Sequence, residues 1–359
     1  MNIRPRPWIA SRPGYEPGLP ARLEEGRLAS NESAFPPPRG VVKAIEKDAL
    51  SVHRYPDPLA SQLRAKLARR HGVEPTQILI ANGSDELIYL LVMAYAAGGG
   101  SVVCADPPYG LHALVPQWMG ASVTRVPLVH WKHDLDGMTS VDADLAFVCN
   151  PHNPTGTIVS AQDLGRFVGR SAAGLVVIDE AYIDFADSPE RVTMVRRAAD
   201  GEAVVLRTFS KVFGLAGLRL GYMVGPEEIV DTLRLIRPPF SVNALGQAAA
   251  VAALRETQHV GQVRQETIRL RRRLEELLGE AGYATIPSQT NFVLVLVPDE
   301  STFVVALGAE GVSVRPGATL GVPGTVRVTV PSEEGLRLLQ AALPRIEDPV
   351  RPRSGTPDG

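Results

Sequence analysis

The chain has 359 residues, beyond the roughly 250–300 at which single hydrophobic cores stop growing, so two domains sharing a cleft are expected. Hydrophobic residues make up 45% and charged residues 21%, the balance of a soluble globular protein, and a formal net charge of -2 argues against nucleic acid or an anionic membrane as a partner. Cys104 and Cys149 lie inside apolar runs and read as buried thiols in a reducing, cytoplasmic setting.

Residues 1–20 are rich in Pro and Arg and lack the apolar core of a secretory signal, and no stretch reaches the roughly 18 apolar residues that cross a bilayer. Apolar residues recur at helical spacing over 41–50 and 59–70, with the turn Tyr55-Pro56-Asp57-Pro58 between them. An apolar strand at 77–81 leads into Asn82-Gly83-Ser84-Asp85-Glu86 and a helix through Tyr95. Strand and helix alternate from there. Runs at 102–105, 122–127, 145–150, 175–179, 203–208 and 218–224 are short, apolar and rich in β-branched residues, the pattern of buried strands in a largely parallel sheet. Helical spacing covers 161–170, 227–236 and one long segment, 244–281, whose charged residues from Arg264 to Arg273 are expected on a solvated face. Strands at 291–297, 312–315 and 326–330 with helices at 301–310 and 333–343 predict a small α+β domain, and 347–359 reads as a disordered tail. The expected division is an N-terminal arm and part of the small domain over 1–42, a large domain over 43–246, the small domain over 247–346, and the tail.

The run Arg207-Thr208-Phe209-Ser210-Lys211-Val212-Phe213-Gly214-Leu215-Ala216-Gly217-Leu218-Arg219 holds the most chemical information. Read alone, Lys211 and Arg219 are surface charges on a glycine-rich turn. A lysine directly after an apolar strand, followed by small residues and one arginine, also suits an amine that forms a Schiff base while the arginine holds a phosphate, as pyridoxal phosphate requires. Asp179 ends an apolar strand at the edge where open α/β sheets bind ligands; there it either caps the next element or keeps a pyridine nitrogen protonated. Asn153, on a loop fixed by Pro151, Pro154 and Gly156, and the Tyr182 hydroxyl are candidates to hydrogen-bond a cofactor's phenolic oxygen. Ser84 and Asp85 follow Gly83 in an N-cap signal whose free N–H groups also favour an anion, and Ser210 and Arg219 are further donors to the same phosphate. Tyr109 either packs in the core or stacks on a planar cofactor. Arg315 and Arg327 either face solvent or clamp an anionic group of the substrate. No metal site is expected, because His130-Trp131-Lys132-His133 has no supporting Cys or carboxylate cluster. Gly98-Gly99-Gly100 reads as a helix stop, and there is no P-loop.

Taken in order, Asn82-Gly83-Ser84-Asp85-Glu86, Pro108-Tyr109-Gly110, Asn153-Pro154-Thr155-Gly156, Asp179-Glu180-Ala181-Tyr182 and Ser210-Lys211 through Arg219 resemble the fold-type-I pyridoxal phosphate enzymes, and more closely the histidinol-phosphate aminotransferase family. Gly14-Tyr15-Glu16-Pro17-Gly18, Leu28-Ala29-Ser30-Asn31-Glu32, Arg54-Tyr55-Pro56-Asp57-Pro58, Phe240-Ser241-Val242-Asn243 and Gln289-Thr290-Asn291-Phe292-Val293 extend the resemblance over residues 14–343. It implies an α/β fold with a large domain on a mostly parallel seven-stranded sheet and a small α+β domain formed by both chain ends. It implies pyridoxal 5′-phosphate joined to Lys211, with Asp179 on the ring nitrogen, Asn153 and Tyr182 on the ring oxygen and Tyr109 against the ring. Gly83, Ser84, Asp85, Ser210 and Arg219 would surround the phosphate. A homodimer with shared active sites is implied, in which Tyr55 reaches the neighbouring subunit's site while Tyr15, Asn31, Arg315 and Arg327 contact substrate. The activity implied is transfer of an amino group from an amino acid or amino-phosphate donor to a 2-oxo acid acceptor, by Schiff-base exchange at Lys211 through a quinonoid intermediate. The same motifs would serve a decarboxylase, a β-eliminating lyase or an oxidative deaminase; a non-catalytic regulator would need a DNA-binding module, and no helix-turn-helix pattern precedes the first core helix. The chain departs from the family's usual pattern at Ser33-Ala34-Phe35-Pro36-Pro37-Pro38 and at Val330-Pro331-Ser332, and both segments are expected near the substrate.

Overall fold

The computed structural model describes residues 3–10, 14–18 and 20–346; the expected tail at 347–359 lies outside the described residues. Seven strands form the larger sheet: β1 (Ile78–Ala81), β2 (Ser101–Asp106), β3 (Ser122–Pro127), β4 (Leu145–Cys149), β5 (Leu175–Asp179), β6 (Val204–Thr208) and β7 (Gly221–Val224). Their order is β1-β7-β6-β5-β4-β2-β3, parallel throughout except at β7, which runs antiparallel to both neighbours. Successive side chains along a strand alternate between faces. Val148, Ile178 and Val205 therefore join one core with Leu63 and Leu67, whereas Phe147, Val177 and Leu206 join the other with Leu87 and Leu91. Apolar contact on both faces explains why the central strands lack polar alternation. Each fully buried Leu or Val here contributes about 1.5–3 kcal/mol. β3 departs from the expectation of burial: it is the sheet's edge, and Ser122, Thr124 and Arg125 are exposed.

The smaller sheet contains β8 (Thr285–Ile286), β9 (Phe292–Leu296), β10 (Arg315–Pro316) and β11 (Thr325–Thr329) in the order β10-β11-β9-β8, all antiparallel. Its core combines Val293, Val295, Val326 and Val328 with Leu270, Leu274 and Leu278 of the helix Thr257–Glu280. Leu28 belongs to the same core, and its N–H and carbonyl bond Ser313 and Thr329, so both chain ends build this unit.

Three further expectations are corrected. The single helix over 244–281 is two, Ala244–Ala253 and Thr257–Glu280. The first packs on the helix Arg39–Ala49 in the large core and the second on the small sheet; two destinations require a bend that apolar spacing does not reveal. The charged face at 264–273 is not all solvated. Arg264 donates to the carbonyls of Ala186 and Asp187, and Arg271, 3% exposed, donates to those of Phe185 and Thr290, satisfying acceptors that the short turn Ile183–Phe185 leaves open. The strand at 218–224 starts only at Gly221, because Ala216–Leu218 is a 3-10 turn and Arg219 is left-handed at φ 52°. A helix without a sequence signal, Gly110–Trp118, follows β2; its opening glycine and internal Pro116 mask the periodicity. No helix among the described residues is long and apolar enough to cross a membrane.

Candidate active site

The carboxyl ends of β4, β5 and β6 deliver Cys149, Asp179 and the Ser210-Lys211 turn to one side of the large sheet. After Thr208, Phe209, Val212 and Phe213 are buried in the core, which fixes the turn. Ser210 N–H donates to Thr208 Oγ1 at 3.0 Å, and Lys211 is left facing the cavity. Lys211 Nζ donates to the Asn31 carbonyl at 3.0 Å and lies 5.4 Å from the Tyr182 ring. Burial, then the Arg327 and Arg219 charges, pull its amine down to about 8, against opposing pulls from Asp85 and Glu32. At pH 7 about a tenth of such an amine is neutral, against roughly 0.03% of an ordinary lysine.

Asn31 joins this centre to the small domain. It is buried at φ 55°, a left-handed conformation that Asn tolerates better than most residues. Its N–H donates to Thr329 Oγ1 at 2.9 Å, its carbonyl also accepts from Asn291 Nδ2 at 3.1 Å, and its Nδ2 donates to the Tyr182 hydroxyl at 3.0 Å. Asn153 Nδ2 donates to the same hydroxyl at 3.3 Å. With two donors on its oxygen, the Tyr182 O–H proton remains free for an acceptor in the cavity. Burial raises the Tyr182 pKa, so the phenol stays protonated.

Asp179 is 2% exposed. Its Oδ1 accepts from Ala181 N–H at 3.0 Å, and its Oδ2 lies 3.2 Å from His112 Nε2. His112 stacks on Phe147 at 4.7 Å and meets Tyr109 edge-on at 5.2 Å, so its imidazole is held on both sides. Sequence reasoning missed His112. Because its helix carries no sequence signal, its position three residues after Tyr109 did not place it beside Asp179.

Gly83, Ser84, Asp85, Ser210 and Arg219 also converge. The helix Ser84–Tyr95 has no side-chain cap, leaving first-turn N–H groups open to an anion. Gly83 has φ 84°, and a Cβ there would lie 2.8 Å from Arg219 Nη2; a Cβ on Gly221 would lie 2.5 Å from Ser84 N. Both glycines are needed for this close approach. Arg219 Nη2 pairs with Asp85 Oδ2 at 3.0 Å, and Tyr109 donates to Asp85 Oδ1 at 3.0 Å, so Asp85 ties the arginine to the aromatic residue. Ser84, Asp85, Asp179, Tyr182, Ser210, Lys211 and Arg219 line one cavity of about 240 Å³. Its donors at one end, carboxylate floor and amine match the parts of a phosphorylated pyridine aldehyde.

A neighbouring cavity of about 600 Å³ shares Lys211, Tyr109 and Tyr182 and adds Tyr15, Asn31, Asn153, Arg315 and Arg327. Arg315 and Arg327 are paired across β10 and β11. Arg327 donates to Asn153 Oδ1 at 2.7 Å and to the Ala29 carbonyl at 2.8 Å; Arg315 donates to the Glu16 carbonyl and lies over the Tyr15 ring at 5.7 Å. The Nε of each is buried without a partner, a cost of about 1–3 kcal/mol apiece that an anion would relieve. Tyr55 is not brought to this site: it is 82% exposed and stacks on Phe240 at 4.5 Å. The two divergent segments line neither cavity, although each directly follows a residue of the site: Glu32 lines the smaller cavity and Thr329 accepts from Asn31. Ser33 bonds locally to Phe35, and Ser332 caps the helix Glu333–Ala342, so both are occupied in shaping the chain.

Residues 26–343 match the family aminotransferase class I and II. A histidinol-phosphate aminotransferase of Halalkalibacterium halodurans is 38% identical over 350 residues, covering 93% of this chain and 94% of that protein. An aromatic amino acid aminotransferase of Nocardia farcinica is 40% identical over 362 residues, covering 96% and 99%. The crystal structure of histidinol-phosphate aminotransferase from Sinorhizobium meliloti in complex with pyridoxal-5'-phosphate has a TM-score of 0.88 at 29% identity and covers 96% of this chain and 98% of that one.

Proposed function

We infer that this chain, which belongs to the aminotransferase class I and II family of pyridoxal phosphate-dependent transferases, moves an amino group from a small-molecule donor to a 2-oxo acid. The observation that carries this reading is the half-buried Lys211 amine, lowered to about 8, between an anion cradle and two arginines with unpartnered Nε groups. Bound in the smaller cavity, pyridoxal 5′-phosphate supplies a carbonyl that captures amines and a ring that accepts electrons from the donor's Cα. The Gly83–Asp85 turn with Ser210 and Arg219 would hold its phosphate. Asp179, braced by His112, would keep the ring nitrogen protonated, and the free Tyr182 proton and Asn153 would hold the ring oxygen. Lys211 Nζ would be the attachment point and, once free, would take the proton from the donor's Cα, for which its lowered basicity at neutral pH suits it. Arg315 and Arg327, with Tyr15 and Asn31, receive the anionic group beside the donor's amine. Relatives of both histidinol-phosphate and aromatic type support a carboxylate- or phosphate-bearing donor with a ring.

Reconstitution with pyridoxal 5′-phosphate tests the reading. The parent is expected to gain a visible absorbance band that Lys211→Ala lacks, and an amino donor is expected to convert the bound cofactor to its amine form. Release of carbon dioxide, ammonia or a thiol without that conversion would overturn transamination. We also propose a homodimer in which Tyr55 completes the neighbouring copy's site. The exposed apolar side chains of Leu50, Val52, Tyr55 and Phe240 support it, and sedimentation of a monomer would refute it. A division into large and small domains belongs to the same proposal; because the helices Arg39–Ala49 and Ala244–Ala253 both pack in the large core, its boundaries fall outside them rather than at 42/43 and 246/247, and limited proteolysis tests it. A cytoplasmic setting belongs to that proposal too and rests on two buried free thiols.

A further inference from the structure

The larger cavity extends well beyond the reacting amine. Pro107, Leu114 and Leu320 give it an apolar stretch, and Arg125 of β3 also lines it. β3 is separated from β5, which carries Asp179, by β4 and β2. Three strand spacings of about 4.8 Å put the Arg125 backbone about 14 Å across the sheet from β5, and Lys211 follows the next strand, β6, further still. The Arg125 side chain makes no hydrogen bond among the described residues. Its nearest carboxylate, Asp106 Oδ1, is 3.7 Å from Nη1, and the two side chains are 42% and 49% exposed, so the pairing leaves the guanidinium available. Cys104 stands opposite Arg125 on β2. Glu16, the one acid among the described residues lining the cavity, is exposed, whereas Lys211, Arg315 and Arg327 add to its positive charge; Tyr15, beside Glu16, completes the titratable groups described in that segment.

We propose that Arg125 sorts amino donors by the charge at the far end of the side chain. It admits a neutral ring, favours one bearing an acceptor such as a phenol oxygen, and disfavours a cationic end such as a protonated imidazole. The anion beside the amine is met by Arg315 and Arg327, so Arg125 has no competing duty there. This rests on the aminotransferase reading and adds the feature by which the site chooses among ring-bearing donors.

The test compares phenylalanine, tyrosine and histidine as donors to the holoenzyme, using the ratio of kcat/KM values within each protein so that general losses cancel. At about pH 5.5, a unit below the ordinary imidazole value of about 6.5, the histidine-to-phenylalanine ratio is expected to rise about fivefold in Arg125→Met and further in Arg125→Glu. The tyrosine-to-phenylalanine ratio is expected to fall. At about pH 8 the histidine effect should largely vanish, because the ring is then neutral. An unchanged ratio at the acid pH would overturn the proposal. Calorimetric binding of 3-phenylpropionate and 3-(imidazol-4-yl)propionate to the same holoenzymes measures the same discrimination without turnover. If no donor reacts but the binding ratio still shifts, the transfer reaction fails and the role of Arg125 stands.

Discussion

Replacing Lys211 with Met in the cofactor-free protein should stabilise it at neutral pH. Methionine approximates the lysine stem in length and volume but carries no charge to desolvate. The Lys211 amine falls from the ordinary 10.5 to about 8 on folding, so at pH 7 holding it protonated costs up to about 3 kcal/mol, at 1.36 kcal/mol per pKa unit. The side chain is half-buried rather than sealed, which discounts the expected gain to about 2 kcal/mol. The sign of the pH dependence follows from the lowered value. Between pH 8 and 10.5 the unfolded chain retains the proton that the folded chain has released, so parental stability rises with pH across that window relative to the variant. Urea unfolding of both apoproteins at about pH 7 and pH 10 measures this, and the Met advantage should shrink to under about 1 kcal/mol at the higher pH. A pH-independent difference, or a parent more stable than the variant at pH 7, would show that the amine is not held in a desolvated, positively charged site.

His112→Phe keeps the stack on Phe147 but removes the partner of Asp179 Oδ2; kcat should fall about tenfold and the pH dependence of the bound cofactor's absorbance should move. A purely structural role would change the melting temperature and leave that spectral titration in place. Gly83→Ala forces a side chain into φ 84° and against Arg219, so cofactor affinity measured by fluorescence titration should drop at least about tenfold. A loss under twofold would remove the cradle assignment. Arg327→Lys keeps the charge but loses the fork that reaches Asn153 and Ala29; kcat/KM for the amino donor should fall about thirtyfold, with the larger part in KM.

The residues at strand ends were the most legible part of the site. Asp179 and Lys211 follow continuous apolar runs, and a charge at such a boundary stands out against the strand that delivers it. Arg315 and Arg327 were visible only as candidates, because arginines are frequent in this chain and the cross-strand pairing that joins them is a tertiary fact. His112 was hidden for a different reason: its helix begins with glycine and contains proline, so local periodicity did not announce the element. Arg264 and Arg271 read as solvated charges because spacing records a helix face and not the carbonyls of the turn packed against it. Arg125 carried no signal either, since a charged residue on a strand ordinarily marks an edge, as this one does, and only the cavity's shape adds a second meaning.

Asn153 is shared between Arg327 and Tyr182, giving its oxygen to the guanidinium and its nitrogen to the phenol. An anion that draws Arg327 away also frees Asn153 to turn, and the hydroxyl of Tyr182 then loses one of its two donors. Occupancy at the donor's anionic end and acidity at the Tyr182 oxygen are therefore coupled, and by linkage each shifts the other by the same free energy. A donor lacking the anion would thus meet a different Tyr182 from the one a complete donor meets.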